Sequence, residues 1–211
     1  MEELLPKTQQ EKKVWALDEI MSLIDKNGGV AKTADIVATG IDYRRLMQFV
    51  EEGRLVRVKN GYYSVPKGTY NEEQMITSMY PDGILTMETA LFYHGYLKER
   101  PYGWSIAINK NTSKSRFKLD YPAVTPYYTE PAVLEIGVEK ITIAGNEMGI
   151  YSKDRLVCDV LKYEEKIDRE YYKKGLLAYI NDETKNVAKL MEYAKERKVI
   201  NKVRSVIGVW L

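Results

Sequence analysis

Asn60-Gly61 is the most constraining pair in this chain. It is flanked by Leu55, Val56 and Val58 on one side and by Tyr62, Tyr63 and Val65 on the other. Asn-Gly between β-formers predicts a tight hairpin, because a type I′ turn needs positive φ at both central residues. A short helix is predicted immediately before it. Gly40 can end a preceding helix in the left-handed conformation and Asp42 is a good N-cap. Leu46, Phe49 and Val50 then share one face before Gly53 stops the helix. Arg44, Gln48 and Glu51 fall on the opposite face, with Tyr43 and Arg45 on its flanks.

Upstream, Val14, Leu17, Ile20, Met21 and Ile24 form a helical stripe that ends at Asn27-Gly28-Gly29. Thr33, Ala34, Ile36 and Val37 form a second, short helix. Three helices followed by a hairpin are the element order of a winged helix-turn-helix, here over residues 10–66. In that arrangement Arg44 and Gln48 are the base-edge candidates, with Tyr43 and Arg45 beside them. Arg can bond guanine O6 and N7 in bidentate fashion, and Gln can do the same with adenine. Lys32 and Thr33 are placed to touch phosphate at the start of the second helix, where backbone N–H groups point outward. Arg54, Arg57, Lys59 and Asn60 decorate the wing and would contact the sugar-phosphate backbone or minor groove. The same pattern also fits an interaction module whose basic residues are only solvated.

Overall charge argues for a local surface. The formal net charge is +2, so the chain is no general polycation. Between Ile41 and Lys67, six basic residues (Arg44, Arg45, Arg54, Arg57, Lys59, Lys67) face three acids (Asp42, Glu51, Glu52), a local excess of +3. The single cysteine, Cys158, forbids an internal disulfide and suits a reducing compartment. Neither a signal peptide nor an apolar run of spanning length is present, so a cytoplasmic protein is expected. The opening residues, MEELLPKTQQEKK, read as polar and frayed.

Pro66-Lys67-Gly68-Thr69 marks the expected domain boundary. Beyond it, helices are predicted over Glu72–Tyr80 and from an N-cap at Thr86 to Leu97. Residues 103–151 read as strands, including a hairpin turning at Gly145-Asn146. From Ser152, an N-cap, the chain is helical to its end. Strands followed by helices predict a mixed α+β C-terminal domain over 68–211, β-rich in the middle and helical at the C-terminus. The whole chain is therefore expected to be α+β.

Little in this sequence supports catalysis. His94, the one histidine, lies among apolar neighbours and reads as a buried structural residue; Cys158 reads as core packing. No metal-ligand spacing and no phosphate-cradling glycine loop occurs, so no enzyme, metal or cofactor is expected. A nuclease centre could be drawn from Glu135, Glu139 and Lys140, but almost any β-rich domain would permit one. A second basic stretch comprises Lys98, Arg100, Lys110, Lys114, Arg116 and Lys118, interleaved with Tyr102, Trp104 and Tyr121. It fits a second nucleic-acid surface built on Lys110, Lys114, Arg116 and Lys118, or equally a solvated loop with its aromatics facing the core. The C-terminal run Lys195, Arg197, Lys198, Lys202, Arg204 has helical periodicity and reads as a solvated face.

Three stretches carry a family resemblance. They are GIDYRRLMQFVEEGRLVRVKNGYYS, METALFYHGYL and SKDRLVCDVLKY. In this order they resemble the AbiEi antitoxins of AbiE-type (type IV) toxin–antitoxin systems, linked to phage abortive infection. Tyr96 stands where that family more often has Leu, and Asp154 where it has Glu. The resemblance implies a repressor of its own operon that binds inverted repeats in double-stranded operator DNA through the N-terminal domain. It also implies a C-terminal domain that counters a nucleotidyltransferase toxin without a stable complex. A ligand-responsive winged-helix regulator unconnected with a toxin is the alternative, and would need an apolar pocket in the second domain.

Overall fold

A computed structural model describes residues 8–66, 71–119 and 121–210. The chain divides into two compact units. The first runs to Pro81 and takes in 118–121 and 143–146; the second comprises the rest from Asp82. Lys67, Gly68 and Thr69 of the expected boundary lie outside the described residues, as do residues 1–7 of the expected frayed start.

The first unit begins with α1 (Gln9–Lys26), which starts earlier than the polar composition of its first turn suggests. A reciprocal cap explains this. Thr8 Oγ1 accepts from Glu11 N at 3.1 Å, and Glu11 Oε2 accepts from Thr8 N at 2.8 Å, which satisfies two otherwise orphaned donors. The buried face is Ala16, Ile20 and Ile24, with Leu17 and Leu23 half-buried beside them, so the stripe is rotated from the expected one. Val14 and Met21, expected inside, are exposed.

Next come β1 (Ala31–Lys32), α2 (Thr33–Ala38) and α3 (Tyr43–Glu51), then the wing strands β2 (Val56–Lys59) and β3 (Tyr62–Ser64). The short β1 was not expected from sequence; it pairs antiparallel with β3, giving a sheet of order β1-β3-β2. Ile36, Ile41, Leu46, Phe49, Leu55 and Tyr63 close the core against α1.

Helix α4 (Glu72–Met79), capped by Asn71, completes this unit. It lies hard against the end of α1. Gly28 has φ +72°, and a Cβ there would sit 2.8 Å from Gln74 Cβ, so only glycine fits. Ser78 Oγ donates to Asn27 O at 2.6 Å across the same contact.

In the second unit, β4 (Ile84–Leu85), α5 (Met87–Tyr93), β5 (Trp104–Asn109), β6 (Val124–Thr129), α6 (Pro131–Leu134), β7 (Val138–Ile143) and β8 (Asn146–Tyr151) lead into four helices. These are α7 (Lys153–Lys162), α8 (Arg169–Ile180), α9 (Val187–Glu196) and α10 (Ile200–Val206). The five strands form one mixed sheet of order β6-β5-β4-β8-β7. Strand β4, for which the sequence carries no prediction, pairs antiparallel with β5 and parallel with β8. Helix α5 is shorter than predicted and ends at His94-Gly95. The hairpin between β7 and β8 turns one residue earlier than expected, with positive φ at Ala144 and Gly145.

Helix α7 is the hub of this unit. Every residue from Asp154 to Leu161 is buried, and α7 packs against α5, α8, α9 and α10. Its polar residues are drawn into contacts within the unit. Ser152 caps it; Asp154 Oδ1 accepts from Tyr179 Oη and from Asn186 N, both at 2.8 Å. Asp159 joins two buried arginines, Arg155 at 3.3 Å and Arg197 at 2.5 Å. Arg197, expected on a solvated face, is thus a core residue, because Asp159 offers it a charge inside the unit.

Removing the acid between two buried cations leaves both uncompensated, so Asp159→Ala should cost about 3–5 kcal/mol in urea denaturation. Acid sensitivity has a separate source. Burial pushes Asp182 up, but hydrogen bonds from Lys153, Thr184 and Tyr96 outweigh it and hold the carboxyl well below its usual range. A group with a depressed folded value adds stability above its unfolded value, and loses it as pH falls below that point. Asp182→Asn should therefore flatten the loss of melting temperature on acidification below about pH 4, while leaving its slope at neutral pH unchanged.

Candidate nucleic-acid interface

The interface candidates gather on α3 and the wing. Asp42 Oδ1 accepts from Arg45 N at 2.8 Å, which fixes where α3 begins. With Leu46 and Phe49 fully buried, the first turn presents Tyr43 and Arg44 to solvent. Arg45 and Gln48 are only half-exposed, and they are joined. Arg45 Nη1 donates to Gln48 Oε1 at 2.7 Å, and Gln48 Nε2 donates to Glu52 Oε1 at 2.8 Å. That same carboxylate oxygen receives Lys13 Nζ of α1 at 2.6 Å. Hydrogen bonding from Lys13 is the largest influence on Glu52 and lowers its carboxyl below the ordinary value. Sequence reading missed Lys13 and Glu52. The one available signal was an acid at the C-terminal end of a helix, where the macrodipole disfavours it.

The wing differs from its sequence prediction at the tip. Gly61 has φ +78°, but Asn60 does not share the positive value that a type I′ turn requires. Instead the register shifts between Arg57 and Lys59, a bulge that absorbs the extra residue. Gly61 O accepts the backbone N–H of Thr33 at 2.9 Å, so this donor, expected to face phosphate, ties α2 to the wing. Thr33 is half-buried, while Lys32 is exposed with its Nζ 6.0 Å from the Tyr62 ring. Arg54, Arg57 and Asn60 are exposed, and Arg57 donates to the Asn60 side-chain oxygen. Lys59 is not displayed. It is buried, and its Nζ lies 4.3 Å from the ring centroids of both Tyr62 and Tyr80. Placing it on the inner face of the bulged strand gives its charge two aromatic faces in place of water.

The second basic stretch is less coherent. Lys110 pairs with Glu130 at 2.6 Å, and Arg116 makes a two-pronged contact with Asp82. Arg100 covers the ring of Trp104, which is buried, so Trp104 offers no face for a base. Lys114 is exposed, as are Tyr102 and Tyr121. Lys118 groups with the first unit, whereas Lys110, Lys114 and Arg116 belong to the second.

His94 and Cys158 are held inside the fold, while Glu135, Glu139 and Lys140 are exposed. His94 Nε2 bonds Tyr151 O at 2.7 Å, and burial lowers its basicity. Cys158 is buried, its thiol pushed up to about 12 by loss of solvent. Among the described residues, no three His, Cys, Asp or Glu side chains cluster closely enough to hold a metal.

Helices α1, α2 and α3 with a three-stranded wing define a winged helix-turn-helix unit. Residues 18–66, within this unit, match the family described as "Transcriptional regulator, AbiEi antitoxin". The fold also resembles the crystal structure of the RV2827C protein from Mycobacterium tuberculosis. That likeness covers 89% of this chain and 76% of the other, with a TM-score of 0.61 at 14% identity, and establishes a shared fold alone. Among curated proteins there is no match. No helix among the described residues is long and apolar enough to cross a membrane.

The sandwiched ammonium makes Lys59 a structural test. Lys59→Ala should lower unfolding free energy by about 1–2 kcal/mol, the range of desolvated cation–π contacts. Calorimetry of the purified variant would show this, and an unchanged melting temperature would refute the structural role.

Proposed function

We propose that the protein is an antitoxin-type transcriptional repressor that binds inverted repeats in its own promoter through α3 and the wing. In this reading its C-terminal domain, from about residue 68, counters a nucleotidyltransferase toxin. The supporting observation is the exposure of Tyr43 and Arg44 on the first turn of a capped helix inside a matched AbiEi domain. Arg44 is the principal base-edge reader, with Tyr43 beside it. Gln48 and Arg45 belong to the same surface in their mutually bonded state. Arg54, Arg57 and Asn60 on the wing, with Lys32 and Thr33 at the start of α2, make the backbone contacts. Lys114, with Lys110, Arg116 and Lys118, would serve a second, weaker nucleic-acid role linked to neutralisation.

A second reading, a ligand-responsive regulator, is favoured by one feature. The second unit has a cleft of about 410 Å3 lined by Leu176, Leu177, Ile180, Val206, Ile207 and Trp210. A thermal-shift screen with metabolites would support that reading by a reproducible rise in melting temperature.

For the repressor reading, Arg44→Ala should cost about 1–3 kcal/mol on the promoter repeat and relax preference at the contacted base pair. Arg57→Ala should weaken all duplexes similarly and reduce the salt slope by about one unit. Gel-shift titrations of promoter and scrambled duplexes over a salt series measure both. Unchanged promoter affinity in both variants would sink the assignment.

A further inference from the structure

We infer that Lys13 and Glu52 are positioning residues for the DNA-reading helix, which set its base preference by holding the Gln48 amide turned away from the groove. The inference rests on the proposed DNA-reading role of α3 and concerns how that role is tuned.

The geometry carries it. Gln48 has one acceptor and one donor group with which to recognise a base edge, and both are engaged within the protein. Its Oε1 takes Arg45 Nη1 at 2.7 Å, and its Nε2 gives to Glu52 Oε1 at 2.8 Å. Bidentate recognition of adenine needs just those two groups. Gln48 is accordingly half-buried, whereas Arg44 on the same helix is in solvent. Arg45 is held along with it, since its guanidinium is the other partner of Gln48.

Glu52 is costly where it stands. As the C-cap of α3 it faces the negative end of the helix dipole, and a carboxylate on a DNA-facing helix repels phosphate. Lys13 offsets both effects by bringing a cation from α1 to within 2.6 Å. A charge pair on half-exposed side chains contributes little to stability. Its consequence is orientational: α1 reaches across and fixes which atoms of α3 are free. Arg44 is left as the reader, and Gln48 is a latent one.

The test is binding-site selection from a randomised duplex library, followed by titration of the enriched sites. Wild type, Glu52→Ala, Lys13→Ala, Glu52→Gln and the double variant Gln48→Ala/Glu52→Ala are compared, each after its melting temperature is measured. Glu52→Ala removes the acceptor of Gln48 Nε2 and should gain preference for adenine at a single position by about 10-fold, the scale of one bidentate contact, with a smaller gain in Lys13→Ala, where the acceptor stays but loses its anchor on α1. Glu52→Gln keeps an acceptor for Gln48 and should retain the wild-type motif. The double variant should lose the new preference. If wild type enriches a motif and Glu52→Ala enriches the same one with equal affinity, the inference is overturned. A gain in Glu52→Ala that persists without Gln48 also overturns it, because charge removal alone would then explain the change. Should wild type enrich no sequence at all, the DNA-reading role itself falls, a result distinct from either of these.

Discussion

Helix α3 has nine residues, about two and a half turns, and it must bury one face while offering another. That division governs the first unit. Leu46 and Phe49 are fully buried, and they lock the helix against Ile20, Ile24, Ile36 and Tyr63. Once those two are fixed, the 3.6-residue period leaves no freedom in where Tyr43, Arg44 and Glu51 point. Asp42 adds an axial limit, since its cap bond sets the first turn. The remaining elements serve as a brace: α1 supplies the core partners, and β1, β2 and β3 hold the polypeptide that leaves α3.

How much of this was legible depended on whether one interaction or several set the outcome. The bounds of α3 follow from a local cap and a local stop, and sequence reading found them. The face of α1 was harder. Val14, Leu17, Ile20, Met21 and Ile24 share helical spacing with Ala16, Ile20, Leu23 and Ile24, and periodicity cannot choose between two overlapping apolar stripes. Tertiary packing chose the second, using a small residue, Ala16, that carries little hydrophobic signal. Strand β1 has two residues, too few to show any alternation, and exists only because β3 lies beside it. The wing tip was misjudged for a related reason: Asn-Gly announces a turn, but the bulge at the strand end decides which kind.

The candidate site was legible in residue type and less so in exposure. Arg44, Tyr43, Arg54, Arg57 and Asn60 face solvent where amphipathic spacing puts them. Lys59 alternates correctly for a displayed wing residue, yet the register shift turns it inward onto Tyr62 and Tyr80. Partners distant in sequence were invisible. Lys13 lies 39 residues from Glu52, and Arg197 lies 38 from Asp159. A basic run cannot be separated into solvated and buried members until those partners are placed. The SKDRLVCDVLKY stretch shows the other side of this: its charged residues make contacts inside the second unit. Its Asp154 bonds Tyr179 and Asn186, its Asp159 bonds Arg155 and Arg197, and its Arg155 also donates to the carbonyls of Val133 and Ile136.

Charge pairing gives the near-neutral composition a structural meaning. Several cations are paired within the protein: Lys13 with Glu52, Lys110 with Glu130, Arg116 with Asp82 and Arg197 with Asp159. Lys59 is withdrawn into the fold. Lys32, Arg44, Arg54 and Arg57 are exposed within a stretch of fewer than thirty residues, close to the first turn of α3 and the wing in sequence. In a reader of duplex DNA, each cation paired away from the contact surface lowers affinity for arbitrary phosphate while sparing a contact that discriminates bases. Specificity is a ratio of affinities, so weakening the sequence-independent part raises it as effectively as strengthening the specific part.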